Sequence, residues 1–125
     1  MKIQNVKVFT ESGSFEEKDI CINNDRICKE SEDFIVFDGE GCYAIPGLID
    51  VHFHGCVGKD FCNGTLEAIQ AIAEYELSQG VTSICPATMT LDEETLSTIF
   101  KTAGDYKGST GAELVGINME GPYIS

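Results

Sequence analysis

Pro-Gly-Leu-Ile-Asp-Val-His-Phe-His-Gly occupies positions 46–55 and divides the sequence into two regions of different character. Before it, short apolar runs alternate with polar turns, as in small β structures. After it, nearly all-apolar strand patterns alternate with helical patterns, which is typical of a parallel sheet covered by helices. We therefore predict a small β unit over residues 1–45 and an α/β part over residues 46–125.

The β unit is predicted from three apolar runs separated by turn-forming residues. The runs cover residues 2–10, 15–28 and 34–37. Asn23-Asn24-Asp25 interrupts the second run, and Asp-Gly-Glu-Gly at 38–41 follows the third, both being strong turn signals. We predict a small antiparallel sheet that buries one face.

The α/β part has the order β-α-β-α-β. Strands are predicted at 48–51, 81–85 and 114–119, and helices at 65–79 and from Thr90 onward. A closed (β/α)8 barrel of the TIM type takes typically ~250 residues. The pattern therefore predicts the first three strands and two helices of such a barrel, truncated within this chain.

Both predicted helices carry recognisable end signals. Gly80 is expected to stop the first helix. Thr90 and Glu93 fit a capping box at the start of the second, and Gly104 follows its last predicted turn. The apolar faces are predicted to comprise Leu66, Ile69, Ile72 and Leu77 in the first helix, and Leu96, Ile99, Phe100 and Ala103 in the second.

Charge and composition exclude several classes of function. The chain has 21 acidic and 8 basic residues and a formal net charge of -13. Such a surface repels phosphate backbones and anionic lipid, so no nucleic-acid or membrane partner is expected. The N-terminus lacks the pattern of a secretory signal, which favours the cytoplasm. Free thiols are therefore expected for the six cysteines, which are Cys21, Cys28, Cys42, Cys56, Cys62 and Cys85.

His52 and His54 are the two histidines of the chain. Side chains two residues apart on a strand point to the same face, so both imidazoles can meet one cation. Asp50 lies on that face and could orient a neighbouring histidine. Two histidines without a ligand remain the alternative for an isolated H-x-H, but the preceding Pro-Gly-Leu-Ile-Asp favours a metal site.

Glu120 follows the third predicted strand, within Asn-Met-Glu-Gly-Pro-Tyr at 118–123. Active sites of parallel barrels are built at the carboxyl ends of strands, so Glu120 is expected to converge with His52 and His54. A solvated glutamate in a turn is the alternative. Thr88 could line the same site, although a structural role is favoured for it. Lys59 and Asp60 are better explained by a solvated loop than by substrate contact.

At these residues the sequence resembles the amidohydrolase superfamily and, within it, the N-acetylglucosamine-6-phosphate deacetylases. The histidine motif is common to many amidohydrolases, whereas Met-Glu-Gly-Pro on the third strand is the part specific to the deacetylases. The resemblance runs along the chain through Pro46-Gly47-Leu48-Ile49-Asp50, His52, His54, Gly80-Val81-Thr82, Pro86-Ala87-Thr88 and Glu120-Gly121-Pro122.

The resemblance implies an enzyme that hydrolyses the acetamido group of N-acetylglucosamine 6-phosphate to glucosamine 6-phosphate and acetate. It implies that His52, His54 and Glu120 ligate one or two divalent ions, zinc or iron. The acid–base aspartate and the groups that bind the sugar phosphate are expected outside this chain, so no catalytic residue is assigned within it and the isolated chain is expected to be inactive. The full-length enzyme is expected to be a homodimer.

Two other functions remain open at this point. The chain could belong to another amidohydrolase, such as a dihydroorotase-like or hydantoinase-like cyclic amidase. It could also be a metal-binding module without catalysis.

Overall fold

The computed structural model describes residues 1–30 and 35–123, which form a mixed α/β structure. Contacts between Cα atoms divide the chain into two compact units, Met1–Pro46 and Gly47–Ser125. Within the described residues, neither helix is long and apolar enough to cross a membrane.

A five-stranded mixed sheet makes up the first unit. Two antiparallel pairings join its first three strands, β1 to β2 and β2 to β3, with a turn at Asn24, whose φ is 54°. β4 and β5 both lie beside β1 and run parallel to it. The strands are β1 (Lys2–Phe9), β2 (Phe15–Asn23), β3 (Arg26–Cys28), β4 (Val36–Asp38) and β5 (Tyr43–Ala44).

The expectation of an antiparallel unit is therefore wrong for β4 and β5. Alternation of apolar and polar residues has the same period in parallel and antiparallel strands, so it predicts a strand without its direction. Gly39, directly after β4, explains why this side of β1 can be approached closely. A Cβ at Gly39 would lie 2.9 Å from the Cβ of Val6, which is the buried residue of β1. Phe34, part of the predicted third run, lies outside the described residues.

The second unit contains a three-stranded parallel sheet in the order β10-β9-β6. A short antiparallel hairpin, β7 with β8, and a 3₁₀ turn at Phe61–Asn63 follow the first of these strands. The parallel sheet and both helices were predicted, but the hairpin was not. The elements are β6 (Leu48–Asp50), β7 (Gly55–Cys56), β8 (Lys59–Asp60), α1 (Leu66–Ser78), β9 (Val81–Ile84), α2 (Glu93–Asp105) and β10 (Glu113–Leu114).

The predicted third strand is much shorter than expected. The pattern predicted residues 114–119, whereas β10 has two residues. Further along, an isolated parallel bridge pairs Asn118 with Ala87. The chain therefore stays beside β9 beyond β10 without forming a continuous ladder, and apolar character alone does not reveal this interruption.

Helix ends and faces depart from the predictions at a few positions. Thr65 was predicted as the first helical residue, but its side chain caps α1, and Gly80, with φ 88°, follows the end of the helix as expected. Asp92, and not Thr90, caps α2, and Gly104 lies within its last turn. Leu66 and Leu77 were predicted in the core but are exposed, and Glu76 is buried in their place.

A single apolar cluster joins α1, β9 and α2. Ile84 on β9 and Ala73 on α1 have no exposed surface, and Ile99 on α2 is nearly as buried. Full burial of an isoleucine side chain stabilises a fold by about 1.5–3 kcal/mol. The cluster comprises Phe61, Ile69, Ile72, Ala73, Val81, Ile84, Ile99, Ala103 and Ala112. It holds the strand ends that carry the site described next.

Candidate metal centre

The segment after β6 continues beside β9, and this pairing fixes the two histidines. The Cys85 N–H donates to the Asp50 carbonyl at 2.8 Å, and the Ala87 N–H donates to the Phe53 carbonyl at 2.7 Å. His52 lies between the two residues whose carbonyls accept these bonds, and His54 directly follows the second of them. Both histidines lie beyond the end of β6 and not on a strand, where the prediction had placed them, but their ring centroids are 5.5 Å apart and both rings face Glu120.

The segment after β10 brings Glu120 to the same place. Its position depends on Thr88, which is fully buried. The Thr88 hydroxyl oxygen accepts from the Glu120 N–H at 3.3 Å. Gly121, with φ 90°, allows a close approach of the two segments, because a Cβ there would lie 2.8 Å from the Thr90 hydroxyl oxygen. Thr88 therefore supports the carboxylate through the backbone.

The three candidate ligands converge. Glu120 Oε2 lies 3.4 Å from His54 Nε2 and 3.6 Å from His52 Nε2. One ligand atom from each residue can be chosen so that all three lie within 4.8 Å of one another. Among residues 1–30 and 35–123, these three form the one group of three or more histidine, cysteine or acidic residues that is close enough together to hold a cation.

The donor set fits a divalent transition metal. Imidazole nitrogens and a carboxylate oxygen are ligands of zinc and iron, and their separations leave room for one ion between them. The hydrogen bonding around the histidines is less typical of a metal site. His54 Nδ1 is buried and makes no hydrogen bond to any described residue. Metal-ligating histidines almost always donate their second N–H to an acceptor, and the described residues supply none for His54.

The other residues considered from the sequence lie elsewhere. Asp50 accepts from the backbone N–H of His52 at 3.0 Å and makes no hydrogen bond to an imidazole of the described chain. Lys59 forms an ion pair with Glu67, N to O 2.8 Å. Asp60 caps the 3₁₀ turn by accepting from the Cys62 N–H at 2.7 Å. All three contacts are structural.

Two cysteines near the histidines are held by packing. Cys62 Sγ accepts from the Met89 N–H at 3.2 Å. Cys56 Sγ lies 4.0 Å from the Ile72 carbonyl oxygen. Burial raises the pKa of both thiols, which opposes formation of the thiolate that a metal would need. All six cysteines are free in the structure.

Asn118 is the residue that sequence reasoning missed. Its side-chain nitrogen lies 3.1 Å from His52 Nδ1 and 3.0 Å from the Val51 carbonyl oxygen. An amide gives no charge signal, although its spacing of two residues from Glu120 would place both on one face of the predicted third strand. Its contact with His52 becomes visible only when the strand ends are aligned.

Comparison with known proteins identifies relatives of this chain. A curated N-acetylglucosamine-6-phosphate deacetylase of Lysinibacillus sphaericus is 26% identical over 98% of this chain and 34% of its own length. A solved N-acetylglucosamine-6-phosphate deacetylase from Thermotoga maritima is 30% identical, with a TM-score of 0.81 over 100% of this chain and 33% of that structure. No protein-family model matches the sequence.

A further structure supports the fold alone. The N-acetylglucosamine-6-phosphate deacetylase from Pasteurella multocida is 24% identical, with a TM-score of 0.87 over 99% of this chain and 35% of that structure. The chain spans about a third of the length of the relatives it matches. In sequence and in fold, the chain is thus a relative of N-acetylglucosamine-6-phosphate deacetylases.

Proposed function

We propose that the chain is the N-terminal, metal-binding part of an N-acetylglucosamine-6-phosphate deacetylase. The observation that carries the proposal is the convergence of His52, His54 and Glu120 at strand ends. The relatives bear that enzyme's name, and their similarity covers nearly the whole chain. In this proposal, the parallel sheet and two helices are the first part of a (β/α)8 barrel, and the site lies at the carboxyl ends of its strands.

The proposed reaction is hydrolysis of an amide. The oxygen of water bonds to the acetyl carbon of N-acetylglucosamine 6-phosphate, the C–N bond breaks, and the amine leaves with a proton. The products are glucosamine 6-phosphate and acetate. A divalent ion, when bound, supplies Lewis acidity that lowers the pKa of water and polarises a carbonyl group.

The residues of this chain provide the ligand set for that ion. Glu120 supplies a carboxylate whose backbone is held by Thr88, and His52 and His54 supply imidazoles from the neighbouring strand end. One or two ions of zinc or iron suit these donors. We expect the acid–base aspartate and the phosphate-binding groups to come from the other two thirds of such an enzyme. A cytoplasmic homodimer is the form that we propose for it.

A chimeric enzyme tests this function directly. The matching third of the Thermotoga maritima relative is replaced by this chain, and acetate release from N-acetylglucosamine 6-phosphate is measured. We expect activity, and we expect Glu120→Gln to lower it by more than about 100-fold, the upper range for losing a residue that only supports a ligand.

Glu113→Gln is the matched control, because Glu113 is an exposed glutamate at the start of β10. It should retain the activity of the parent chimera. A folded chimera that stays active after Glu120→Gln would contradict the proposed role of Glu120. A folded chimera that never releases acetate would contradict the assignment as a deacetylase.

A further inference from the structure

Asn118 connects three segments of the second unit. Its N–H donates to the Pro86 carbonyl at 2.9 Å, and its carbonyl accepts from the Thr88 N–H at 3.0 Å. These bonds are those of the isolated bridge to the segment that follows β9. The backbone of Asn118 is therefore fixed, and its side chain reaches from there to the end of the first parallel strand.

The contacts of the Asn118 side chain show which of its two amide atoms, Nδ2 or Oδ1, faces Val51 and His52. The atom 3.0 Å from the Val51 carbonyl oxygen must be a donor, because a carbonyl oxygen only accepts. This atom is therefore Nδ2, and it also lies 3.1 Å from His52 Nδ1. An amide nitrogen carries two hydrogens and donates both, so His52 Nδ1 must be the acceptor.

The hydrogen bond determines the tautomer of His52. A neutral imidazole whose Nδ1 accepts carries its hydrogen on Nε2. Nε2 is the nitrogen that lies 3.6 Å from Glu120 Oε2. A cation at that position needs the lone pair of Nε2, and the hydrogen occupies it. The usual arrangement in metal sites is the reverse, with Nδ1–H donating to an acceptor.

We infer that Asn118 is a positioning residue that orients the His52 ring and keeps the hydrogen of its metal-free form on Nε2. The consequence is a lower affinity of His52 for a divalent ion than a carboxylate at position 118 would give. The tautomer follows from the contacts of Asn118 alone, whereas its effect on the ion rests on the proposed function.

Nitrogen NMR of the metal-free chain tests the tautomer. The chain has two histidines, so labelling histidine with 15N gives a spectrum of two rings, and His54→Gln assigns them. A pH of about 8 keeps unperturbed imidazoles neutral. We expect the His52 hydrogen on Nε2 in the wild type and on Nδ1 in Asn118→Asp, since a carboxylate only accepts.

Asn118→Leu removes both donors at nearly constant size and should leave His52 as a mixture of tautomers. The His54 signals are the internal control and should not change in either variant. The same His52 tautomer in the wild type, Asn118→Asp and Asn118→Leu would overturn the inference. A far-ultraviolet circular dichroism spectrum of each variant establishes that it is folded.

Zinc titration by calorimetry tests the consequence. Asn118→Asp should bind zinc on the order of 10-fold more tightly than the wild type, the usual scale for changing a partner of a ligating histidine. Met119→Asp adds the same charge one residue away on an exposed side chain and should change the affinity less. Equal gains in both variants would mean that charge alone acts, which overturns the proposed effect of Asn118 on the ion.

The two hypotheses fail in different ways. Absence of zinc binding in the wild type and in every variant contradicts the proposed metal site and leaves the NMR result to decide the role of Asn118. Zinc binding that His52→Ala does not weaken contradicts the view of His52 as a ligand.

Discussion

Glu76 is a buried carboxylate on α1, on the same side of the helix as the core residues Ile69 and Ile72. It is 8% exposed, and the charge of Asp50, at the end of β6, acts on it. Burial raises the pKa of Glu76, the charge of Asp50 raises it further, and a hydrogen bond from the Cys56 thiol acts in the opposite direction. Because the folded chain disfavours the charged carboxylate, Glu76 makes stability depend on pH.

The sign of that dependence gives a prediction for Glu76→Gln. The pKa in the folded chain lies above the ordinary value of 4.5, so the stabilisation by protonated Glu76 is present at low pH and is lost as the pH rises through the folded pKa. The variant should therefore gain in urea midpoint relative to the wild type between pH 4 and pH 8. Glu113→Gln, at an exposed position, should show no such change; an equal result for the two variants would refute the role of Glu76.

The candidate ligands were predictable from the sequence, but their supporting residues were not. His52 and His54 are two residues apart, and this spacing led to the prediction that both face one side, although the structure places them beyond the end of β6. Asn118 meets His52 across 66 residues of sequence, and that contact depends on the alignment of two strand ends. Similarly, Thr88 could be predicted to lie near the site, but its hydrogen bond to the Glu120 backbone could not.

At the scale of elements, two residues near the start of α2, Thr90 and Asp92, could each cap the helix. Thr90 and Glu93 match a capping box, yet the helix begins at Glu93. Asp92 accepts from the Thr95 N–H at 2.9 Å and from the Thr95 hydroxyl at 2.7 Å. Thr90 instead lies against Gly121, so packing beside the site overrides the local motif. This is why helix type was predicted correctly and the first residue was not.

Removing the observed cap should destabilise the chain, and removing the predicted one should not. We expect Asp92→Ala to lower the urea midpoint at pH 7, because two hydrogen bonds to Thr95 are lost. Thr90→Ala should have little effect. These same bonds, to the Thr95 N–H first and its hydroxyl second, lower the pKa of Asp92, so the difference between wild type and Asp92→Ala should shrink as the pH falls through that pKa. Equal midpoints for both variants would contradict the cap.

Strand direction is the element-scale property that the sequence predicted least well. The parallel order β10-β9-β6 was predicted because helices separate its strands and a crossover connection favours parallel pairing. Only seven residues lie between β3 and β4, and an antiparallel return was expected from so short a connection, whereas β4 pairs parallel with β1. Connection type was therefore informative in the second unit and misleading in the first.

At the scale of the whole chain, the sheet that the described residues of the second unit form has two edge strands, and exposed apolar side chains lie on these strands or directly after them. Its sheet ends at β6 on one side and at β10 on the other. Ile49 is 64% exposed, Val51 60% and Val115 56%. Unpaired edges with apolar neighbours invite pairing with another chain.

We therefore expect the isolated chain to associate with itself. Its sedimentation coefficient should rise with concentration, and Ile49→Lys combined with Val51→Lys should reduce that rise, because lysine opposes edge pairing. Ile27→Lys is the control, since Ile27 is 80% exposed but belongs to the first unit. A wild-type chain that sediments as a monomer at every concentration would show that the open edges of β6 and β10 are tolerated in water. That result would favour a self-sufficient metal-binding module over part of a larger barrel, because the barrel hypothesis requires those edges to be covered.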